Sequence, residues 1–268
     1  MNAIEKQLRL QPNRRMSYIM TIFIVGLLFI WSVTTVHFDH VSANGTKIAK
    51  NIFVGLLNPE WSLIVNMTTA GIPYLLIETM AIAFLGTIVG AVLAIPLAFL
   101  SASNIVPKPV AFVVRLLLII IRTIPAIVYG LMFIRVTGPG PFAGVLTMSL
   151  TSIGMLSKLY VDVIEDLDKS ILESMEAIGC TLMEKIRYGI WPQLTALFSS
   201  IVIYRFDMNL RDATVLGLVG AGGIGAPLIF AMNAYKWSEV GSILWGLVML
   251  ILVVEYVSNR VRTKLVKG

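Results

Sequence analysis

YLLIETMAIAFLGTIVGAVLAIPLAFLS, from Tyr74 to Ser101, carries one charged residue, Glu78, and one proline, Pro96, near its end. An α-helix rises about 1.5 Å per residue, so roughly 20 residues cross the ~30 Å hydrocarbon core of a bilayer. This stretch is long enough to cross and too apolar to lie in water. Outward from it the chain repeats the pattern. Upstream, Met16 to Val36 holds no charge and follows the basic cluster Lys6, Arg9, Arg14 and Arg15. Its length exceeds the about 7–15 residues of a signal-peptide core and no small-residue cleavage site follows, so a retained helix is expected. Downstream lie Val110 to Ile134, interrupted by Arg122-Thr-Ile-Pro125, and Phe142 to Leu156, which follows the turn Thr137-Gly-Pro-Gly-Pro141. Leu194 to Leu218 and Val240 to Val257 complete the set.

Six expected crossings make an all-α polytopic transmembrane bundle. Composition agrees. The 268 residues are 57% hydrophobic and 13% charged, with mean hydropathy +0.86, whereas a soluble domain carries about 25% charged residues. Fourteen Lys and Arg fall on the side of the two termini, against four (Lys47, Lys50, Arg135 and Lys236) on the other. The positive-inside rule then places both termini in the cytoplasm and accounts for the net charge of +6. The expected organisation is a cytoplasmic N-terminus (1–15), a first transmembrane helix (16–36) and an external loop (37–73), in which Ile48 to Leu57 can lie as an amphipathic helix on the membrane. A core of five spans (74–258) and a cytoplasmic C-terminus (259–268) follow. No basic face with nucleic-acid motifs is present. One cysteine, Cys180, excludes an internal disulfide, and His37 and His40 lack further ligands for a metal or partners for catalysis. No G-x-x-x-x-G-K-[ST] phosphate loop occurs, so the chain does not bind ATP in that way.

Asp162 to Glu184 differs in kind. It holds Asp162, Glu165, Asp166, Asp168, Glu173, Glu176 and Glu184 against Lys169 and Lys185. It is too polar to span, yet Ile171, Leu172, Met175, Ile178 and Leu182 recur at helical spacing, which predicts an amphipathic helical segment in water. Pro192 is expected to stop it.

Glu78, Arg122, Arg205, Asp207, Arg211 and Asp212 fall within or at the edges of apolar spans. A charge at the centre of a membrane helix costs roughly 2.5–3.5 kcal/mol on insertion scales, so these groups must face protein or water. They form either internal salt bridges, as the i,i+4 pair Asp207 and Arg211 allows, or a polar pathway. The positive bias of Arg122, Arg205 and Arg211 suits an anionic solute. Gly217-Leu-Val-Gly-Ala-Gly-Gly-Ile-Gly225 contains Gly220, Gly222, Gly223 and Gly225 and formally fits G-x-G-x-x-G, but no βαβ unit surrounds it. Glycines at membrane depth serve tight helix packing or a broken, re-entrant element.

Glu173-Ser-Met-Glu-Ala-Ile-Gly179, followed by Trp191-Pro192, resembles the E-A-A-x-x-x-G … I-x-L-P loop of ABC importer permeases. Glu173, Gly179 and Pro192 match. Ser174 and Met175 replace the two alanines, Gly189 the isoleucine and Trp191 the leucine. Glu78-Thr79 with Gly86-Thr87, Arg122-Thr-Ile-Pro125, Gly138-Pro-Gly-Pro-Phe-Ala-Gly144, Ile153-Gly-Met-Leu-Ser-Lys158 and Asn209 to Gly225 look like the phosphonate ABC transporter permease. The resemblance implies the methionine-importer type of permease fold, called the type I importer fold, in a bacterial cytoplasmic membrane. It implies a second permease copy, two ATP-binding subunits that use ATP and Mg, and a solute-binding protein. No cofactor on this chain is implied. It also implies coupling to the ATPase through Glu173, Ser174, Met175, Glu176, Ala177, Gly179 and Pro192. Glu78, Arg122, Arg205, Asp207, Asn209 and Arg211 then become pathway candidates, and the Gly217–Gly225 glycines gate candidates. The competing readings are an importer permease for another small solute such as methionine, a stand-alone secondary transporter, for which no internal repeat is found, and a membrane enzyme, for which no catalytic set is found.

Overall fold

The computed structural model describes residues 15–35 and 45–267. Lys6, Arg9, Arg14, His37 and His40 lie outside the described residues. The chain divides into two units, 1–50 and 51–268. In the first, α1 (Arg15–Thr35) is an uninterrupted helix of 21 residues with no buried side chain. The hydroxyls of Thr21 and Thr35 donate to carbonyls four residues back, which satisfies them without water.

α2 (Gly45–Leu57) runs into the second unit. There it is followed by α3 (Trp61–Val65), α4 (Ile72–Ser101), α5 (Lys108–Thr123), α6 (Ala126–Thr137), α7 (Pro141–Glu165) and α8 (Lys169–Ala177). A short α9 (Leu182–Glu184), a π-helical turn (Lys185–Ile190), α10 (Trp191–Leu218), α11 (Gly225–Asn233) and α12 (Trp237–Lys267) complete the chain. Among the described residues α1, α4, α7 and α12 are long and apolar enough to cross a membrane, and α5 with α6 forms a bent fifth candidate. α10 has 28 residues, about 42 Å of helix, but four charged residues in its second half. Among the described residues that makes four candidate spans, or five with the bent pair, roughly in line with the six expected.

The bend between α5 and α6 is 83°. Pro125 has no amide hydrogen and disfavours helical backbone in the residue before it, and Ile124 is accordingly extended (φ −84°, ψ 124°). The hydroxyl of Tyr129 donates to the Ile121 carbonyl across the break at 3.1 Å.

α4 and α7 form the axis of the bundle. Lipid tails are as apolar as leucine, so membrane helices associate through close packing of small residues and interhelical hydrogen bonds. Thr79, Ala83, Gly86, Gly90, Ala94, Ala98 and Ser101 recur at intervals of three and four and are buried. A Cβ at Gly86 would overlap Met148, and one at Gly90 would lie 2.5 Å from the Ser152 Cβ. Beside this seam Tyr160 of α7 stacks on Phe198 of α10 (centroids 4.1 Å apart). Ile190, Leu194 and Ile164 fill the surrounding core.

Two local expectations are corrected. The acidic segment is not one helix. Asp162 and Glu165 belong to the last turn of α7, and the apolar stripe ends with α8, leaving Ile178 and Leu182 exposed. Nor does Pro192 stop the helical run, which continues from Leu182 to Leu218. The π turn is the reason: Trp191 N donates to Ile186 O, five residues back. The wider turn admits a proline, which the first turn of α10 tolerates because its amide needs no intrahelical partner there.

Replacing Gly90 by Val forces a branched side chain into the α4–α7 seam. It is expected to destabilise the protein by about 1–3 kcal/mol through overpacking, measured as a lower thermal unfolding midpoint in detergent. Gly26→Val, on α1 with open space around it, should leave the midpoint unchanged.

Candidate functional site

The water-exposed segment after α7 is held in one shape by its own polar groups. Asp168 caps α8 by accepting from Ser170 N at 2.9 Å, and this bond holds its carboxyl below the usual range. At the other end Gly179 has φ +80°, a left-handed conformation that glycine adopts without a Cβ penalty. Gly179 N donates to Glu176 O (2.9 Å) and Cys180 N to Met175 O (3.0 Å), the two bonds of a Schellman cap. Thr181 and Glu184 then form a capping box that opens α9, and the bonds from Thr181 lower the Glu184 pKa. The whole reversal is hydrogen-bonded without help from the bundle.

α8 folds back on the π turn through Met175 and Lys185. The Met175 sulfur lies against Gly189, where any Cβ would collide with it, and Lys185 Nζ meets Glu176 Oε2 at 3.0 Å. Met175 stands where the resembled loop has alanine, and Gly189 where it has isoleucine. The structure brings the two departures into contact, a large-for-small exchange across one interface. Glu173, Ser174, Glu176, Ala177 and Gly179 are exposed. Beside them Ile178, Met183 and Tyr188 are 78%, 72% and 66% exposed, an apolar surface with an acidic rim of the kind that marks a protein contact.

A second group is buried inside the bundle. Arg205 of α10 is 5% exposed and Asn209, one turn on, fully buried. Arg205 donates to Ser152 Oγ (3.2 Å), Thr151 Oγ1 (3.3 Å) and the Met155 sulfur (3.1 Å). Asn209 Nδ2 donates to Thr87 Oγ1 (2.8 Å) and Ser152 Oγ (2.7 Å), and its Oδ1 has no partner among the described residues. Two hydroxyls and a sulfur of α7 thus hold the guanidinium, and the Thr87 hydroxyl of α4 joins the network through Asn209. No carboxylate lies within ion-pair distance of the guanidinium among the described residues. Such a centre favours a negative charge brought close to it.

The remaining polar candidates lie elsewhere. Asp207 and Arg211 do not pair along α10. Arg211 meets Glu255 of α12 at 3.3 Å, and Asp207 Oδ1 accepts from Ser258 of α12 at 3.0 Å, because α12 packs along that face and supplies nearer partners. Glu78 accepts from Gly223 N at 3.1 Å, and its neighbour Thr79 accepts from Ile224 N at 2.9 Å. Arg122 lies between α5 and α7, its stem over Gly154. The Gly217–Gly225 run breaks the chain between α10 and α11. Gly220, Gly222 and Gly223 have φ of 97°, 85° and 73°, and a Cβ at Gly217 would lie 2.7 Å from the Gly225 Cα. Gly140 N donates to Gly220 O at 2.9 Å, tying the break to the start of α7. Thr87, Thr151 and Ser152 escape a search for ionisable residues. Their signal in sequence is a hydroxyl at seam spacing within an apolar span.

The family described as binding-protein-dependent transport system inner membrane component matches residues 94–268. The chain belongs to this family. Over 188 residues this permease is 36% identical to the phosphite transport system permease protein PtxC of Stutzerimonas stutzeri, covering 70% of this chain and 68% of that one. It is 30% identical over 253 residues to the putative phosphite transport system permease protein HtxC of the same organism, covering 93% and 87%. It is 35% identical over 194 residues to the phosphate-import permease protein PhnE of Mycolicibacterium smegmatis, covering 72% of this chain and 36% of that longer one. Among solved structures it resembles an inward-facing MetNI methionine ABC transporter with TM-score 0.62 and 20% identity, covering 71% of this chain and 94% of that one. That likeness establishes the importer permease fold. The matched region contains the exposed segment, Arg205 and Asn209, while Glu78 and Thr87 of the permease precede it.

The Met175–Gly189 contact yields a reciprocal test. Gly189→Ile in the permease is expected to cost about 1–3 kcal/mol by overpacking, and Met175→Ala in the same chain should recover most of it. Thermal unfolding of both single variants and the double variant gives the coupling energy.

Proposed function

We infer that this permease carries phosphonate or a related phosphorus oxyanion, such as phosphite or phosphate, inward across a bacterial cytoplasmic membrane as part of an ATP-binding-cassette importer. The observation that carries this reading is Arg205, a buried cation with hydroxyl partners and no paired carboxylate, in a chain whose relatives include phosphite and phosphate permeases. Asp212, two turns along α10, interacts with Arg205 only from beyond ion-pair distance, so an oxyanion passing this point brings a closer negative charge, and the Ser152 hydroxyl can turn to donate to its oxygens. Weak binding suffices, because the affinity of such an importer resides in its solute-binding protein.

The chain works with a second permease copy and two ATP-binding subunits that consume ATP with Mg. Both termini and the segment from Asp168 to Pro192 lie in the cytoplasm, in line with fourteen basic residues on that side against four on the other. The exposed face of α8, with Glu173, Ser174, Glu176 and Ala177, and the turn at Gly179 that caps it meet the ATPase. Met175 transmits its displacement to the π turn, and the unbroken run through Pro192 carries it into α10, where Arg205 and Asn209 sit. At the far end the Gly217–Gly225 break, held by Glu78, Thr79 and Gly140, opens and closes the pathway outward. A structural role is the reading for Asp207 and Arg211, whose partners on α12 already satisfy them.

Uptake of methylphosphonate, phosphite, phosphate and methionine into proteoliposomes containing the whole importer tests the cargo. Arg205→Gln should lower oxyanion uptake roughly 10–100-fold, the value of about 1.5–3 kcal/mol for hydrogen bonds to a charged group, while protein abundance holds. Arg211→Ala should change uptake less than about fivefold, as for an exposed ion pair. Methionine uptake, or equal effects of the two substitutions, would overturn the cargo reading. In the same vesicles Glu173→Lys should abolish solute-stimulated ATP hydrolysis with membrane insertion intact. Normal stimulation would overturn the coupling role.

A further inference from the structure

Where α5 lies against α7, a cleft of about 180 Å³ is lined by five charged residues, Arg115, Arg122, Lys158, Asp162 and Glu165. Two sequence motifs about thirty residues apart build it, Arg122-Thr-Ile-Pro125 and Ile153-Gly-Met-Leu-Ser-Lys158. They meet because Gly154 has no side chain: a Cβ there would lie 2.7 Å from Arg122 Cγ. The Arg122 stem therefore crosses the face of α7 one turn from Lys158, and the bend at Ile124-Pro125 ends α5 just beyond it.

The charges in the cleft are unevenly satisfied. Arg115 is committed, with Glu165 Oε1 at 2.5 Å and the Ser101 carbonyl at 2.8 Å. Arg122 and Lys158 have no hydrogen-bond or ion-pair partner among the described residues. Asp162, one turn along α7 from Lys158, is the remaining carboxylate of the lining and makes no ion pair with it. Two cations from different helices thus line one cleft, a guanidinium fork and a flexible ammonium.

We propose that this cleft binds a phosphorus oxyanion, held by the Arg122 guanidinium and the Lys158 ammonium. A phosphate-type group presents several oxygens to the fork and accepts the lysine at another. Two sources offer the same chemistry. One is the headgroup of an anionic phospholipid, whose chains would lie along exposed Leu116, Ile119 and Ile120 of α5. The other is a free oxyanion leaving the pathway, and this source alone rests on the cargo proposed above. Asp162 competes with either for the two cations.

The full-length permease in nanodiscs of zwitterionic lipid tests the site. One arm adds phosphatidylglycerol and reads retained lipid by native mass spectrometry. The other titrates inorganic phosphate and methylphosphonate and reads phosphorus NMR line width. Saturable binding is expected in one arm, weakened about tenfold by Arg122→Gln and by Lys158→Gln and strengthened by Asp162→Asn. Lipid retained against excess methylphosphonate identifies the headgroup, and saturation by the free anion identifies the solute. Absence of saturable binding in both arms, or binding that neither Arg122→Gln nor Lys158→Gln changes, overturns the proposal. Arg122-dependent lipid retention in an importer that fails to carry any oxyanion would leave the cleft standing and remove the cargo.

Discussion

In hydrocarbon a backbone amide or carbonyl has no water to fall back on, and each must find its partner inside the protein. That constraint makes the bundle helical and makes its seams narrow. It recurs at the side chains: Thr79, Thr87, Ser101, Thr147 and Ser149 all return their hydroxyls to carbonyls four residues earlier. A hydroxyl so placed is satisfied yet small, so it can sit in the α4–α7 seam beside Gly86 and Gly90. A hydroxyl satisfied in this way still accepts: Thr87 takes a hydrogen bond from Asn209, and Thr151, bonded back to the Thr147 carbonyl, takes one from Arg205. Close packing and the buried polar centre therefore share residues.

The constraint also makes every break in a helix informative, because a break frees groups that must be recovered. At Ile124-Pro125 the Tyr129 hydroxyl recovers one carbonyl. At Gly217–Gly225 the amides of Gly223 and Ile224 turn to Glu78 and Thr79, and Gly140 N recovers the Gly220 carbonyl. At the π turn the ladder shifts by one residue and continues. The first break is bridged by the helix that follows it, while the second draws on α4 side chains and the start of α7, so a change there is felt by both. The third keeps α10 mechanically joined to the water-exposed segment. Breaks that borrow distant partners suit gating, and an unbroken rod suits the transfer of movement.

Outside the bilayer the rules relax. The reversal from α8 to α9 satisfies itself through Asp168, Gly179, Thr181 and Glu184, and its surface stays free for another protein. Met175 packs on Gly189 with Ile171 beside it, and Lys185 meets Glu176. A long flexible side chain in a glycine notch holds the segment close while tolerating small changes of angle.

The all-helical membrane class, the break at Pro125, the glycine break after α10 and the separate character of the acidic segment were all legible in the amino-acid sequence. Each depends on how a local stretch meets its solvent or on what one residue does to its own backbone, and such effects accumulate along the chain without reference to partners. Tertiary structure decided the rest. Asp207 and Arg211 have ideal spacing for each other, but α12 brings Ser258 and Glu255 nearer. Pro192 has every mark of a terminator, but a π turn admits it. Met175 and Gly189 are two separate departures from a pattern until folding makes them one contact. Pairing depends on which faces meet in three dimensions, and in a bundle where every face is apolar the chain's hydropathy cannot say which neighbour each face will choose.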